Sequence, residues 1–315
     1  MLPPNPTTAP HGGEAWREDV ALERIADLLG ASLLSTGPTG WGDDAAVLER
    51  PKGRVLLCCD AGVEGVHLDA SLFPIADLGY RTAIAALSDV AAMGGRPLGV
   101  VVSICAPGDV DVVAIEQGVA AACATVGCTV VGGDLSKAAI TSVTACALGE
   151  EPLQGAIPRS GARPGDVLSV TGALGGAAMG LRRRRAGMGL EDPELRWFRR
   201  PRARIDAGVA AARAGATAML DISDGLARDL RRMAAASGVG IDLDDVPLCD
   251  GASLDEGLGG GEDYELVVAH RDAGALAAAF ESASLEAPTR IGTVTDLVGE
   301  VRYGGAPAPD LGWRH

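Results

Sequence analysis

Acidic residues in short motifs rich in glycine and serine are the side chains of this 315-residue chain best suited to chemistry. Each motif lies beside a stretch typical of a strand or of a helix of small residues, where a fold can hold a carboxylate still. Clusters of oxygen ligands suit hard cations such as Mg²⁺, which usually works bound to a substrate phosphate. The pattern therefore predicts a site for metal ions and a nucleotide. The nine residues are Asp43, Asp44, Asp60, Asp89, Asp134, Asp221, Asp224, Glu262 and Asp263.

Composition predicts a well-buried, acidic protein. The length favours about two domains with a large core, and 47% of the residues are hydrophobic although only three are Phe, three Tyr and four Trp. The core should therefore be aliphatic and rich in alanine. The formal net charge of −15 disfavours nucleic acid and anionic membrane as partners, because no net basic field would attract them. An anionic substrate would need metal ions or local arginines.

The seven cysteines favour a reducing compartment. Their number is odd and no C-x-x-C pair occurs, so neither a disulfide framework nor a structural zinc site is indicated. We find no apolar leader at the N-terminus and no uninterrupted apolar stretch of membrane-spanning length. The expected location is the cytoplasm.

Pro/Gly density predicts the domain organisation. Residues 1–14 are expected to form a disordered tail, 15–152 a first domain and 153–315 a second, with a junction at 150–166. Helices and strands mix without a regular βαβ period, which favours an α+β or mixed α/β fold. Hydrophobic periodicity predicts helices at 77–93, 111–126, 174–185, 202–213 and 272–283, and strands at 55–59, 98–105, 129–131, 142–148, 167–170, 218–220, 240–243, 264–269 and 290–295.

Each acidic motif also has a simpler interpretation. An Asp beside Gly is most often a turn residue, and Ser223 or Asp224 could simply cap the helix that follows. Asp89 is harder to explain in this way, because a lone carboxylate buried in an Ala-rich helix is costly. Asp134 is expected to end a strand at two glycines, where a ligand can approach the backbone. These simple interpretations explain one motif at a time. They explain the whole set poorly, because so many such motifs occur in one chain.

Basic residues offer further candidates. His67 is either structural or a substrate contact, and Lys137 either reaches a phosphate or is exposed. Arg159 lies at the expected junction, where nucleotide clefts often form, whereas 182–185 is expected to be a solvated helix face. The stretch 170–180 is predicted to be a tight strand-to-helix turn and does not match GxGxxG. The chain also lacks GxxxxGK[ST], the HRD and DFG motifs of protein kinases, and GxSxG.

Taken together, the motifs resemble those of the thiamine-monophosphate kinase family, within the aminoimidazole ribonucleotide synthetase-like superfamily. The resemblance runs, in chain order, through GDDAAVL, EGVHLD, LSDVAAMGG, VGGDLS, RSGARPGD, DISDGL, GGEDYEL and IGTV. It implies a two-domain fold, a homodimer paired through its N-terminal domains, and a C-terminal α/β domain that completes each site. The implied reaction converts ATP and thiamine monophosphate into ADP and thiamine diphosphate. Phosphoryl transfer needs positioning and charge neutralisation more than covalent chemistry, so we expect direct in-line transfer assisted by Mg²⁺.

The resemblance also implies roles for individual residues. We assign no general base or nucleophile, because the acceptor phosphate is already ionised near neutral pH. Mg²⁺ ions would be bound by Asp44, Asp60, Asp89, Asp134, Asp221 and Asp224. ATP would be contacted by Gly133, Asp134, Arg159 and Ser223. The thiamine moiety would be positioned by His67, Glu262 and Trp313.

Two departures from the family and two kinds of rival function remain open. Cys58 and Cys59 replace the family's usual Ser-Thr before Asp60, and thiols are poor ligands for Mg²⁺. Leu68 replaces the aromatic residue that follows the His in the family. The first rival is another ATP-dependent enzyme of the superfamily, although the N-terminal Cys or selenocysteine of selenophosphate synthetase and the C-terminal cysteine of the hydrogenase maturation dehydratase are missing. The second is a non-catalytic nucleotide-binding sensor or scaffold.

Overall fold

The computed structural model describes residues 16–30, 48 and 53–313. The expected tail at 1–14 and the motif that contains Asp43 and Asp44 lie outside this part of the chain. Within the described ranges, no helix is long and apolar enough to cross a membrane.

The N-terminal half is a four-stranded sheet covered on one face by helices. The strand order is β1-β4-β2-β3, with β2 and β3 parallel and the other pairs antiparallel. Along β1 the residues alternate, so that Cys58 and Gly62 face the helices whereas Leu57 and Cys59 are exposed. The strands are β1 (Val55–Val63), β2 (Arg96–Ala106), β3 (Val130–Lys137) and β4 (Ser142–Glu150), and the helices are α1 (Glu18–Leu29), α2 (Ala76–Ala92) and α3 (Val112–Ala124).

Helix α2 is the central element of the molecule and is almost wholly buried. Its small residues let neighbouring backbones approach closely: a Cβ on Gly79 would overlap the carbonyl oxygen of Ile115 on α3, and a Cβ on Gly118 would overlap that of Ala76. The helix also contacts α6 (Ile205–Arg213) and β6 (Ala218–Asp221) of the C-terminal half. A side chain on α2 can therefore reach both halves of the chain.

The C-terminal half is a mixed seven-stranded sheet of order β11-β10-β7-β9-β5-β8-β6. One face packs against α7 in a core of its own, and the other face joins the core of the N-terminal half. Its strands are β5 (Val167–Val170), β6 (Ala218–Asp221), β7 (Gly240–Leu243), β8 (Leu266–His270), β9 (Thr289–Thr295), β10 (Val301–Tyr303) and β11 (Ala306–Pro307). Its helices are α4 (Gly176–Arg185), α5 (Arg196–Arg199, after a 3-10 turn at Pro193–Leu195), α6 (Ile205–Arg213), α7 (Leu226–Ser237), α8 (Leu254–Gly259) and α9 (Ala273–Ser282).

The mixed α/β fold predicted from sequence is confirmed, and most predicted elements differ from the observed ones by one to three residues. Two strand predictions were wrong in extent. Strand β1 continues to Val63 and β3 continues to Lys137, so Asp60 and Asp134 lie inside strands and not at their ends. Pairing with a neighbouring strand extends each of them through residues whose local sequence favours a turn.

Candidate active site

Three carboxylates from distant parts of the chain converge where the two halves meet. Asp60 lies on β1, Asp89 on α2 and Asp221 at the end of β6. The three carboxylates lie close enough for their charges to raise one another's pKa, and the hydroxyl of Ser88 donates to Oδ2 of Asp221 at 2.7 Å. The structure thus brings together three of the six residues expected to bind Mg²⁺, and that role stays a prediction.

Burial makes these carboxylates weak acids. Desolvation is the largest cause, and it raises the pKa of Asp60, Asp89 and Asp221 to about 6 in each case. The charge of a neighbouring carboxylate adds to the rise at all three residues. Arg159 acts in the opposite direction on Asp89 and Asp221. Arg159 offsets the repulsion between the carboxylates only in part, and a bound cation would offset more of it.

The donor atoms of this cluster fit a hard metal ion. All are carboxylate oxygens, and Oδ2 of Asp60 is buried without a hydrogen-bond partner among the described residues. No three His, Cys, Asp or Glu side chains in the described ranges already form a complete metal site. The fit consequently rests on the donor chemistry and the orphaned oxygen, not on a preformed coordination shell.

Two cavities share residues of the carboxylate cluster. Asp89 and Asp221 line both of them. The smaller cavity, of about 420 Å³, is lined in addition by Arg159 and Cys58. The larger one, of about 800 Å³, is lined in addition by Asp60, His67, Arg81, Arg185, Ser223, Asp224, Arg232, Glu262, Tyr264 and Trp313. Molecules bound in the two cavities would meet at the shared carboxylates.

A tight turn after β1 brings His67 into the larger cavity. Gly65 has a φ of +81°, and the backbone N–H of Gly65 donates to the carbonyl of Leu68 at 2.7 Å. Nδ1 of His67 accepts a hydrogen bond from the backbone N–H of Val63 at 3.1 Å. The imidazole is thereby oriented by its own turn.

The loop that carries Glu262 has an unusual backbone. Glu262 and Tyr264 both have positive φ, of 56° and 53°, a conformation that costs free energy for residues other than glycine. Their N–H groups donate to the carbonyls of Ser223 and Ile222 at 2.8 and 3.0 Å. Between them, the Asp263 carboxylate accepts from the backbone N–H of Gly175 at 2.8 Å, and burial raises the pKa of Asp263 to about 7. The loop is thus fixed on several sides.

Ser223 and Asp224 do not cap helix α7, because the N-cap is Gly225, with a φ of 110°. Their backbone N–H groups instead donate to Oδ2 of Asp229, at 3.1 and 3.0 Å. Asp224 also forms an ion pair with Arg232. Sequence reasoning missed Asp229, whose only signal is its place one turn into the helix after the DISDGL motif.

Gly133 and Asp134 line neither of these two cavities. Asp134 is exposed on β3 and pairs in register with Ser103, which pairs with Thr144, which in turn pairs with Ala61 of β1. Three strand spacings separate it from β1, roughly 14 Å. A single protomer therefore does not bring Asp134 to the three convergent carboxylates.

The unusual cysteines point to opposite faces of the sheet. Sγ of Cys58 faces the helices and donates to the carbonyl of Ala86 at 3.0 Å, and desolvation raises its pKa to about 12. Cys58 therefore remains a neutral thiol beside the carboxylates. Cys59 is exposed on the outer face, directly opposite Cys146 of β4.

The other segments singled out in the sequence, Lys137 and the runs 182–185 and 170–180, lie in different parts of the fold. Lys137 lies over the ring of Trp16, 5.3 Å from its centroid. The run 182–185 was predicted to be a solvated face, yet its first three arginines contact Glu256, Glu194 and the carbonyl of Leu72, and Arg185 lines the larger cavity. The stretch 170–180 is the predicted strand-to-helix turn, with Gly175 at a φ of 81° before α4.

The fold and the carboxylate cluster between its two halves define a class of protein. Residues 42–150 match the N-terminal domain of AIR synthase related proteins, and residues 163–304 match the C-terminal domain of the same class.

Full-length relatives narrow the class to one family. The thiamine-monophosphate kinase of Halobacterium salinarum is 36% identical over 318 residues, covering 95% of this chain and 99% of the relative. The crystal structure of the thiamine-monophosphate kinase from Stenotrophomonas maltophilia K279a superposes with a TM-score of 0.77 at 32% identity, over 91% of this chain and 97% of that one. A structure described as AaThiL complexed with AMPPCP and TMP gives a TM-score of 0.74 at 31% identity, over 95% and 96%. The chain belongs to the thiamine-monophosphate kinase family.

Proposed function

We propose that this protein transfers the terminal phosphoryl group of ATP to thiamine monophosphate, giving ADP and thiamine diphosphate. The names of its relatives support both substrates, since one solved relative is described with AMPPCP and TMP together.

The observation that carries the proposal is the pair of cavities that share Asp89 and Asp221. A kinase of this kind must bring two anionic molecules together at one point and neutralise the charge on the transferred group. Two separate cavities that meet at a carboxylate cluster provide that arrangement. We assign the smaller cavity, with Arg159, to ATP and the larger cavity to the acceptor.

The acceptor cavity contains groups suited to a cationic aromatic molecule that ends in a phosphate. We assign the thiamine moiety to His67, Glu262 and Trp313, because a carboxylate attracts positive charge and an aromatic face stacks on a flat ring. Ser223 lines this cavity. We keep its assignment to ATP, whose terminal phosphate would reach the region that the two substrates share. Arg185 and Arg232 add positive charge to the same wall.

The chemistry requires positioning more than covalent assistance. The attacking oxygen belongs to a phosphate whose second pKa is about 6, so it is already ionised near neutral pH and needs no general base. Asp60, Asp89 and Asp221 would hold Mg²⁺, which supplies charge neutralisation between donor and acceptor phosphates. Asp224 can join them once it is released from Arg232. We propose direct in-line transfer without a phosphorylated enzyme; labelled phosphate trapped on the protein would contradict this.

A homodimer is part of the proposal. Leu57 and Val101 are 74% and 41% exposed on the outer face of the N-terminal sheet, the face that carries Asp134. Pairing two N-terminal domains would cover this apolar face. We retain the assignment of Gly133 and Asp134 to ATP and metal binding, and of Asp44 to metal binding, as predictions. The domain limits 15–152 and 153–315 also stay predictions.

The cytoplasm remains the proposed location. All seven cysteines lie within the described ranges, and all are free thiols. Free thiols, two of which face each other on adjacent strands, fit a reducing compartment.

The test is chromatography of ATP, Mg²⁺ and thiamine monophosphate after incubation with purified protein, with free thiamine as a parallel acceptor. Thiamine diphosphate and ADP formed in equal amounts, from the monophosphate alone, is the expected result. ADP without thiamine diphosphate would favour another acceptor within the superfamily. Nucleotide binding by folded protein without any ATP consumption would favour a sensor or scaffold.

A further inference from the structure

Arg81 is a buried cation on α2 that the proposed reaction has not used. Its side chain is 3% exposed, and one of its N–H groups donates to the carbonyl oxygen of Phe198. The guanidinium also lies 3.7 Å from the centroid of the Phe198 ring and forms an ion pair with Glu262. Phe198 itself is held by Phe73, whose ring centroid is 4.5 Å away. Only a planar guanidinium can stack and donate to two sides at once.

Glu262 depends on this ion pair for its orientation. Its backbone is fixed by positive φ and by the hydrogen bond to the Ser223 carbonyl, so the side-chain torsions are its remaining freedom. The side chain is 30% exposed and lines the larger cavity. Arg81 thus holds one side of the carboxylate while the other side faces the cavity.

The position of Arg81 links this carboxylate to the reacting centre. Ser88, two helical turns further along α2, bonds to Asp221, and Asp89 follows it. The same rigid helix therefore sets both the place of Glu262 and the place of the carboxylate cluster.

We infer that Arg81 is a positioning residue, which holds Glu262 toward the positively charged, N–H-bearing ring system of the acceptor. The inference rests on the proposed function. Arg81 also lines the larger cavity, but its role is to act through Glu262: its loss leaves the Glu262 carboxylate without this ion pair and free to turn away. The effect should therefore appear in acceptor binding and not in the chemical step.

The experiment is steady-state kinetics with both substrates on the wild type, Arg81→Gln, Arg81→Lys, Glu262→Gln and the double variant. Both Arg81 variants should raise KM for thiamine monophosphate at least about tenfold, with kcat and KM for ATP changed less than about threefold. The double variant should be no worse than Glu262→Gln alone, because the two residues act as a unit. Arg81→Lys retains the charge and keeps the test available if Arg81→Gln does not fold.

The matched control is Arg199→Gln, which removes another arginine between the two halves. Arg199 pairs with buried Asp77, and Arg200 remains as a second partner. The control should leave both KM values unchanged. The inference would be overturned if Arg199→Gln raised KM for thiamine monophosphate as much as the Arg81 variants do. It would also be overturned if the Arg81 variants lost only kcat or only thermal stability. A wild type that makes no thiamine diphosphate would instead refute the proposed function.

Discussion

The hydroxyl of Ser88 donates a 2.7 Å hydrogen bond to Oδ2 of Asp221, a residue 133 positions further along the chain. Both side chains are buried, and the bond joins the central helix of the N-terminal half to the last residue of β6. It fixes one of the two carboxylates shared by the cavities. It also lowers the pKa of Asp221, against the larger effect of burial.

Ser88→Ala should therefore weaken the reaction by releasing Asp221. A buried hydrogen bond to a charged group contributes about 1.5–3 kcal/mol, so we expect the free energy of unfolding to fall by a similar amount. The value of kcat should fall by roughly tenfold, because Asp221 loses its fixed orientation. Denaturant melts and kinetics measure the two effects. Thr125→Ala is the control, since its hydroxyl donates to the carbonyl of Ala122 at the end of α3 and Thr125 lines neither cavity. An unchanged kcat in Ser88→Ala would contradict the role.

Asp60→Asn should separate activity from stability. Removing one buried carboxylate relieves its desolvation and its repulsion with Asp221, so the melting temperature without Mg²⁺ should stay the same or rise. Turnover should fall by at least about a hundredfold, because a ligand with an orphaned oxygen is lost. Calorimetric scans with and without Mg²⁺ check the melting temperature, and chromatography of thiamine diphosphate checks the turnover. Exposed Asp109→Asn is the control, and near-normal turnover in Asp60→Asn would refute the assignment.

Asp229 should matter through the loop that it holds. Asp229→Ala leaves the N–H groups of Ser223 and Asp224 without their acceptor, and we expect a loss of about 2–4 kcal/mol in stability and at least a tenfold loss in kcat. Asp229→Asn keeps an acceptor oxygen and loses mainly the ion pair with Arg232, so its effects should be smaller. Equal effects of the two variants would show that charge, not loop geometry, is what matters.

Trp313 should contribute to acceptor binding alone. The segment that carries it is tied to the site by a 2.9 Å hydrogen bond from its backbone N–H to the carbonyl of Asp224. Trp313→Ala should raise KM for thiamine monophosphate by about tenfold, whereas Trp313→Phe should keep most of the stacking surface. KM for ATP, measured in the same variants, is the internal control and should not change. A parallel rise in both KM values would indicate a general loosening of the cleft.

Glu116 should make stability depend on pH in a direction that can be checked. It lies on α3, is 4% exposed, and its Oε1 has no hydrogen-bond partner within the described part of the chain. Burial raises its pKa from 4.5 to about 7. The folded carboxyl therefore keeps its proton to about pH 7 while the unfolded one loses it near pH 4.5, so the free energy of unfolding falls as pH rises between these values. The fall amounts to roughly 3 kcal/mol.

Glu116→Gln should remove this dependence. Denaturant melts at pH 5 and pH 8 should differ less in the variant than in the wild type, and the variant should be the more stable protein at pH 8. Exposed Glu281→Gln is the control and should follow the wild type. The same pH dependence in Glu116→Gln and the wild type would show that Glu116 is already ionised in the folded protein.

Local sequence determined the elements and the chemistry of the site. The Ala-rich run predicted at 77–93 is helix α2 at Ala76–Ala92, and it carries Asp89 as expected. Hydrophobic periodicity repeats over a few residues and depends little on distant partners, so helices of this kind can be predicted directly. The acidic motifs likewise indicated carboxylate chemistry before any contact was known.

Tertiary structure alone decided which of these residues meet. It brought Asp60, Asp89 and Asp221 together and left Asp134 three strands away, because the strand order β1-β4-β2-β3 follows from pairing between distant segments. It also produced the partners of the site, Arg81 for Glu262 and Asp229 for the loop at Ser223. Such contacts depend on the packing of whole helices and sheets, a long-range property that the spacing of residues along the chain does not contain.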